Sequence, residues 1–263
     1  RTFLARQFVT YPFFLTQPFY LDDPLPGMSS LILQSVSGGL YQDERLAASV
    51  TADVGAQAHC TTQSATVVHS MAEHRYASQM VTISAAAGAL VEYLPGPVIL
   101  FPHANLRTVL DIVLAPSATV VVGDAFLVHD PAAQGQRFGS LMSETSVRRS
   151  DGRLLCRDRL RMNGDERMLE APGVLHHFQA QGTMWVVSSS SSLELLEGLR
   201  AALNGGNGLY AGASTLPNQT GVWARLLASD ALVLNRGLHA AWSAVRRVLT
   251  GQGVEGRRKV GWY

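Results

Sequence analysis

The chain has 263 residues, of which 47% are hydrophobic and 16% charged, with a formal net charge of +1. That length and apolar content support one large β domain or two smaller ones, and basic residues scattered among acids exclude the electrostatic footprint of a nucleic-acid partner. The single lysine, Lys259, leaves no residue for Schiff-base or phosphate-loop chemistry, and Cys60 and Cys156 are too few for a disulfide framework or a zinc-ligand pair.

From residue 30 to 188, short runs of Val, Ile, Leu, Thr and Phe alternate with polar residues and are punctuated by Gly, Pro, Asp or Asn. The pattern predicts strands at 31–37, 46–52, 58–69, 79–84, 89–94, 98–101, 106–114 and 119–128, then a hairpin over 137–162 turning at Ser150-Asp151-Gly152. Turns this short cannot hold crossover helices, so the strands form either a largely antiparallel sheet or a stacked solenoid. A serine run at 188–192 connects to a helix that Ser191 or Ser192 caps and that ends near Ala202. Glu194 and Glu197 lie near its positive end, Leu195, Leu196, Leu199 and Leu203 on one face, and Gly205-Gly206 stops it. Residues 208–228 read as a loop followed by a strand at 222–227. A second helix over 231–249 follows from the spacing of Leu238, Trp242, Val245 and Leu249, with Arg246 and Arg247 near its negative end and Gly251 beyond. The whole reads as a mainly β, β-helix-like or stacked-sheet single domain, 1–263, with two α-helices in its C-terminal third. It has a strand-rich body at 30–188, a helix-containing part at 189–250 and a basic-aromatic tail at 251–263.

Catalytic and metal motifs are absent from the sequence pattern. There is no G-x-S-x-G elbow and no phosphate loop, and Gly205-Gly206-Asn207-Gly208 follows a helix and acts as a stop. His69 and His74 are five apart, wrong for one helix face; His176-His177, and Cys60 beside His59, would diverge on a strand. The most apolar stretch, 109–128, is interrupted by Asp111, Pro116 and Asp124, so neither export nor membrane insertion is signalled and a cytoplasmic location is expected. The carboxylates carry more information. Asp43-Glu44, Glu92, Asp124, Asp130 and Asp158 sit in or beside apolar strand-like segments, where an ionised oxygen is costly unless paired, solvated or bound to a cation. Singly, each is accounted for by a salt bridge to an arginine; together they would line a polar passage for a cation held weakly enough to move on.

Three segments, Ser37-Gly-Gly-Leu-Tyr-Gln-Asp-Glu-Arg-Leu46, Thr61-Thr-Gln-Ser-Ala-Thr66 and Leu90-Val-Glu-Tyr-Leu-Pro-Gly-Pro-Val-Ile-Leu-Phe-Pro-His-Ala104, resemble the urease accessory protein UreD (UreH) family. The run from Arg6 to Tyr20 and Gly208-Leu-Tyr-Ala-Gly-Ala-Ser214 extend the likeness. The resemblance implies a β-helix-like stack with two helices, no enzymatic activity and no tightly bound cofactor. It further implies contact with apo-urease and with UreF, which brings in UreG, a possible homodimer within the accessory complex, and transient passage of nickel. Carried over residue by residue, the nickel path would use Glu44 with Asp43 as its neighbour, Glu92, Asp124 and Asp158; Gln42, Val67 and Gly123 depart from the family pattern. Trp242, Arg246, Trp262 and Tyr263 are the expected partner anchors, aromatic and arginine side chains being favoured at interface centres. Two rival readings stand beside this one: a β-helix hydrolase or lyase whose paired acids converge in an open groove, and a UreD-like scaffold that does not serve urease.

Overall fold

The computed structural model describes residues 1–164, 169–188 and 192–254. It resolves the choice between an antiparallel sheet and a solenoid. Strands β2 (Ser29–Ser35), β4 (Gln57–Thr62), β7 (Leu90–Tyr93) and β10 (Thr119–Val128) pair in parallel in one sheet. Strands β3 (Arg45–Ala52), β6 (Ala77–Ala85), β9 (Asn105–Leu114) and β11 (Ser140–Arg149) pair in parallel in a second. The chain therefore alternates between the two sheets, each circuit stacking on the one before, and the family-derived expectation of a stacked, solenoid-like β architecture holds.

Antiparallel strands complete both sheets. β12 (Leu154–Asn163) closes the five-stranded sheet, whose order is β12-β11-β9-β6-β3. The ten-stranded sheet runs from β1 (Phe13–Leu15) through β2, β4, β7 and β10 to β13 (Ala180–Val187), β15 (Gly221–Ala228) and β14 (Leu209–Thr215). Beside this path, β5 (Thr66–Val68) pairs β8 (Val98–Leu100), which pairs β10. The strand expected over 58–69 is thus two strands. Its break coincides with the break between β7 and β8 one circuit later: the Thr62 hydroxyl accepts the Gly96 amide at 2.8 Å, and a Cβ on Gly96 would lie 2.7 Å from the Ser64 carbonyl oxygen. Residues 209–215, expected in a loop, form the edge strand β14, whose small residues lay flat against β15 without an apolar alternation to announce it.

Helix α1 (Ser192–Leu203) buries Leu195, Leu196, Leu199 and Leu203, the four leucines its spacing placed on one face. Helix α2 (Ala231–Thr250) starts where the Asp230 side chain accepts the Val233 amide at 2.9 Å and stops at Gly251, whose φ of 76° suits glycine. Both helices cover one face of the β13, β14 and β15 region, and the other face of that sheet meets the five-stranded sheet. Layering of helices, long sheet and short sheet explains why all eight residues of β13 are buried. No helix among the described residues is long and apolar enough to cross a membrane.

Candidate functional site

Two apolar clusters fill the space between the sheets. One contains Ile112, Val120, Val122, Val147 and Cys156; the other contains Leu106, Phe126, Leu141 and Met162. Each of these strands runs from one cluster to the other, and between them each turns a polar side chain inward. From the long sheet β10 supplies Asp124, β13 Thr183 and β15 Arg225; across the gap β9 supplies Thr108, β11 Ser143 and Thr145, and β12 Asp158. Strand register makes this a seam. Asp124 pairs with Thr183 and Thr183 with Arg225 in the long sheet, while Thr145 lies opposite Asp158 in the short one.

These residues line one cavity, with about 20 Å³ open to the centre of a water molecule, enough for one water or a small desolvated ion. Asp124 keeps accessible surface although it is packed between two sheets, because the cavity reaches it. Burial pushes its carboxyl above the ordinary value; a hydrogen bond from Ser143, the Ala125 amide and the charge of Arg225 oppose that, and the nearby Asp158 adds to it. The Arg225 guanidinium donates to Asp158 at 2.9 Å and lies 4.9 Å from the Trp223 ring centre. Its Nε is buried with no hydrogen-bond partner among the described residues, a donor left for water.

A larger recess of about 1410 Å³ opens at the other side of the solenoid, between residues 1–13, β2 and β4 of the long sheet and the free edge of β3. Cys60 and Tyr93 line its floor. Burial pushes the Tyr93 hydroxyl up, and the charges of Cys60 and of Asp124 push it further. Burial, then the charge of Glu92, lifts the Cys60 thiol to about 12, so it is protonated at neutral pH. The polar groups of the interior thus fall in two places, Cys60 and Tyr93 at the recess and Asp124, Asp158 and Arg225 at the cavity. Chemically they offer a protonated thiol, hydroxyls, two carboxylates and room for water. Among the described residues, no group of three or more His, Cys, Asp or Glu side chains is arranged to enclose a metal ion.

The model of the UreD urease accessory protein family matches residues 1–259. The chain belongs to that family. It is 40% identical over 98% of its length to the urease accessory protein UreD 1 of Pseudomonas syringae pv. tomato, covering 90% of that protein. It is 37% identical over 98% of its length to UreD 1 of a Bradyrhizobium strain, covering 90% of it, and 34% identical over the same share to UreD of Natronomonas pharaonis, covering 86% of it.

Of the acids that family resemblance placed on a cation path, the fold brings Asp124 and Asp158 together and sends the other three elsewhere. Asp43 and Glu44 occupy the turn before β3 and line neither space: Asp43 pairs with Arg75, and Glu44 accepts the Tyr41 amide at 3.0 Å. Glu92 is a larger correction. It follows Val91 and precedes Tyr93 on β7, so it points away from the seam, toward the helices, where it is 1% exposed. There it receives Arg246 Nε and Nη2 at 2.7 Å and Trp242 Nε1 at 2.9 Å, and lies 2.8 Å from His59 Nδ1. Burial raises the Glu92 carboxyl, but hydrogen bonds from His59 and Arg246 outweigh it and hold the group well below the ordinary carboxylate range. Arg246 also donates through Nη1 to Asp22 at 2.7 Å, tying the N-terminal segment, β7 and α2 into one buried ionic cluster.

Trp242 and Arg246, expected to anchor a partner, are therefore inside the chain at 3% and 1% exposure. The periodicity that put Trp242 and Val245 on one apolar face was correct; Arg246 lies at the border of that face and turns inward because two carboxylates wait there. Trp262 and Tyr263, with the rest of the tail from Glu255 onward, lie outside the described residues, as does Ser191. Arg225, Tyr93 and Ser143 were missed. Their signal was available for Ser143 and Thr145, which alternate with Glu144 and Ser146 exactly out of phase with the outer face, but only knowledge of strand partners shows that this phase faces Asp124.

Proposed function

We propose that this chain is a non-catalytic assembly factor that acts in the cytoplasm, binds apo-urease and the accessory protein UreF, and through UreF joins UreG to deliver nickel to the urease active site. In this reading the interior seam is a segment of the route, entered or left through the recess beneath residues 1–13, and the working complex contains two copies of the chain. Nickel is cargo here. The observation that carries the proposal is the facing of Asp124 and Asp158 into one water-sized cavity between two apolar clusters. Two carboxylates replace part of an ion's water shell, whereas a site that retained nickel would need a fuller donor set. Arg225 supplies a compensating charge when no cation is present, which offsets the repulsion between the two acids.

The test is co-expression of the urease structural genes with all accessory genes, with and without this one, followed by nickel analysis of the purified urease. The proposal expects nickel-poor urease without the chain and restoration when it is supplied. Fully metallated urease in its absence, with no substitute present, would overturn the reading.

A further inference from the structure

The two sheets differ in how they are covered. Helices α1 and α2 lie on the long sheet, whereas among the described residues no helix covers the outer face of the five-stranded sheet; at its β3 edge, Arg45, Ala47, Met80 and Thr82 also line the recess shared with residues 1–13. The register of that sheet arranges its outer side chains in rows. One row across β12, β11, β9, β6 and β3 reads Arg161, Met142, Arg107, Ser78, Arg45. The next reads Arg159, Glu144, Val109, Met80, Ala47.

Charge on this face is one-sided. The outward positions of the five strands hold Arg45, Arg107, Arg148, Arg157, Arg159 and Arg161 against Asp111 and Glu144. Glu144 is shared by Arg159 at 2.7 Å and Arg157 at 3.3 Å, and Asp111 lies 3.4 Å from Arg148. Arg45, Arg107 and Arg161, all exposed, have no acid in their row; Arg107 rests on the Tyr76 ring, 4.3 Å from its centre, which fixes its guanidinium at the surface. Because the chain as a whole carries only +1, this face concentrates positive charge that is balanced elsewhere. Beside the arginine row, Met80 and Val109 are 49% and 39% exposed, an apolar centre that borders the recess at the β3 edge.

We infer that the outer face of the five-stranded sheet is a docking surface for a protein with a flat, carboxylate-rich patch. Arginine and methionine are the side chains enriched at protein interfaces, and five strands of eight to ten residues span about 24 by 30 Å, on the order of 700 Å², close to what one partner contributes to a stable complex. An exposed apolar centre and two carboxylates within the face fit a protein surface better than a phosphate backbone. The inference rests on the proposed function in one respect, since its probes are the partners named there.

The experiment uses the full chain with Arg107→Glu and Arg161→Glu combined, and Arg236→Glu on the exposed side of α2 as the control; unchanged urea midpoints establish that each variant folds. Binding to immobilised apo-urease and, separately, to immobilised UreF is measured at low and high salt. For one of the two proteins, the double reversal is expected to weaken binding by about tenfold or more and to abolish its salt sensitivity, with the control unaffected. The inference is overturned if the double reversal binds both proteins as tightly as the unaltered chain, or if it changes only retention on duplex DNA or anionic vesicles. Should the unaltered chain bind neither protein, the proposed function falls and this inference with it; normal binding by the double reversal removes the inference alone.

Discussion

Replacing Arg246 with Met tests whether the ionic cluster at the helix–sheet interface is as closed as its geometry implies. Met approximates the volume of the arginine stem but takes the shared cation away from Glu92 and Asp22, which are 1% and 3% exposed. Water cannot reach either carboxylate to replace it. Removing one partner of a buried ion pair costs about 3–5 kcal/mol, and the full figure applies because the side chains on both sides are 0–1% exposed. For a chain of this size that loss lowers Tm by on the order of 10 °C, read by thermal and urea unfolding of the purified protein. Neutralising the carboxylates as well, in Asp22→Asn/Glu92→Gln/Arg246→Met, is expected to recover at least half of the loss, since amides bury at far lower cost than charges. If Arg246→Met unfolded within about 1 kcal/mol of the parent, comparable to an ordinary surface change, the cluster would have to be hydrated and the reasoning would fail.

The same cluster sets an acid limit. A carboxyl held below its ordinary value stabilises the fold fully above that value and loses its contribution as pH falls through the folded one, so for Glu92 unfolding midpoints should decline as pH drops below 4.5. Asp124 has the opposite sign: its raised carboxyl contributes stability below 3.8 that is lost as pH rises through its folded value, so Asp124→Asn should leave the midpoint at pH 7 equal to the parent's or higher. In the activation assay, Asp124→Asn/Asp158→Asn should reduce the nickel content of urease while that midpoint is maintained; normal nickel content would remove the seam from the route. Gly221 has φ 138° and a Cβ there would lie 1.9 Å from the Val186 carbonyl oxygen, so Gly221→Ala should cost about 1–3 kcal/mol in a urea titration.

Much of the strand layout was legible because period-two alternation survives without knowledge of partners: the strands expected at 106–114 and 119–128 correspond to β9 and β10. Both helices were legible as well, since apolar spacing and the glycines beyond agree along each, although the Asp230 cap of α2 was not foreseen. What local pattern does not encode is which circuit stacks on which. Asp124 and Asp158 are 34 positions apart and meet only because β10 and β12 belong to facing sheets. The arginines at 157, 159 and 161 look scattered along the chain, yet alternate positions of one strand share a face, and parallel neighbours add Arg107 and Arg45 to it. Arg246 and Glu92 are 154 positions apart, and neither carries a mark in its neighbourhood that distinguishes a buried ion pair from a surface one.

On the proposed function, placing Glu92 and Tyr93 side by side on β7 lets one sheet serve two incompatible demands. A cation in transit needs carboxylates that exchange water, so their counter-charge must be partial, as with the half-buried Arg225 beside Asp158. Joining an N-terminal segment to a C-terminal helix needs the reverse, an acid whose oxygens are saturated by donors that do not exchange, as with Arg246, Trp242 and His59 around Glu92. Adjacent strand positions point to opposite faces, so β7 turns the saturated acid toward the helices and a tyrosine toward the seam. Were Glu92 on the seam face instead, the guanidinium of Arg246 would compete with any cation for it; sealing it behind the sheet leaves the latch shut whether or not the proposed route carries an ion.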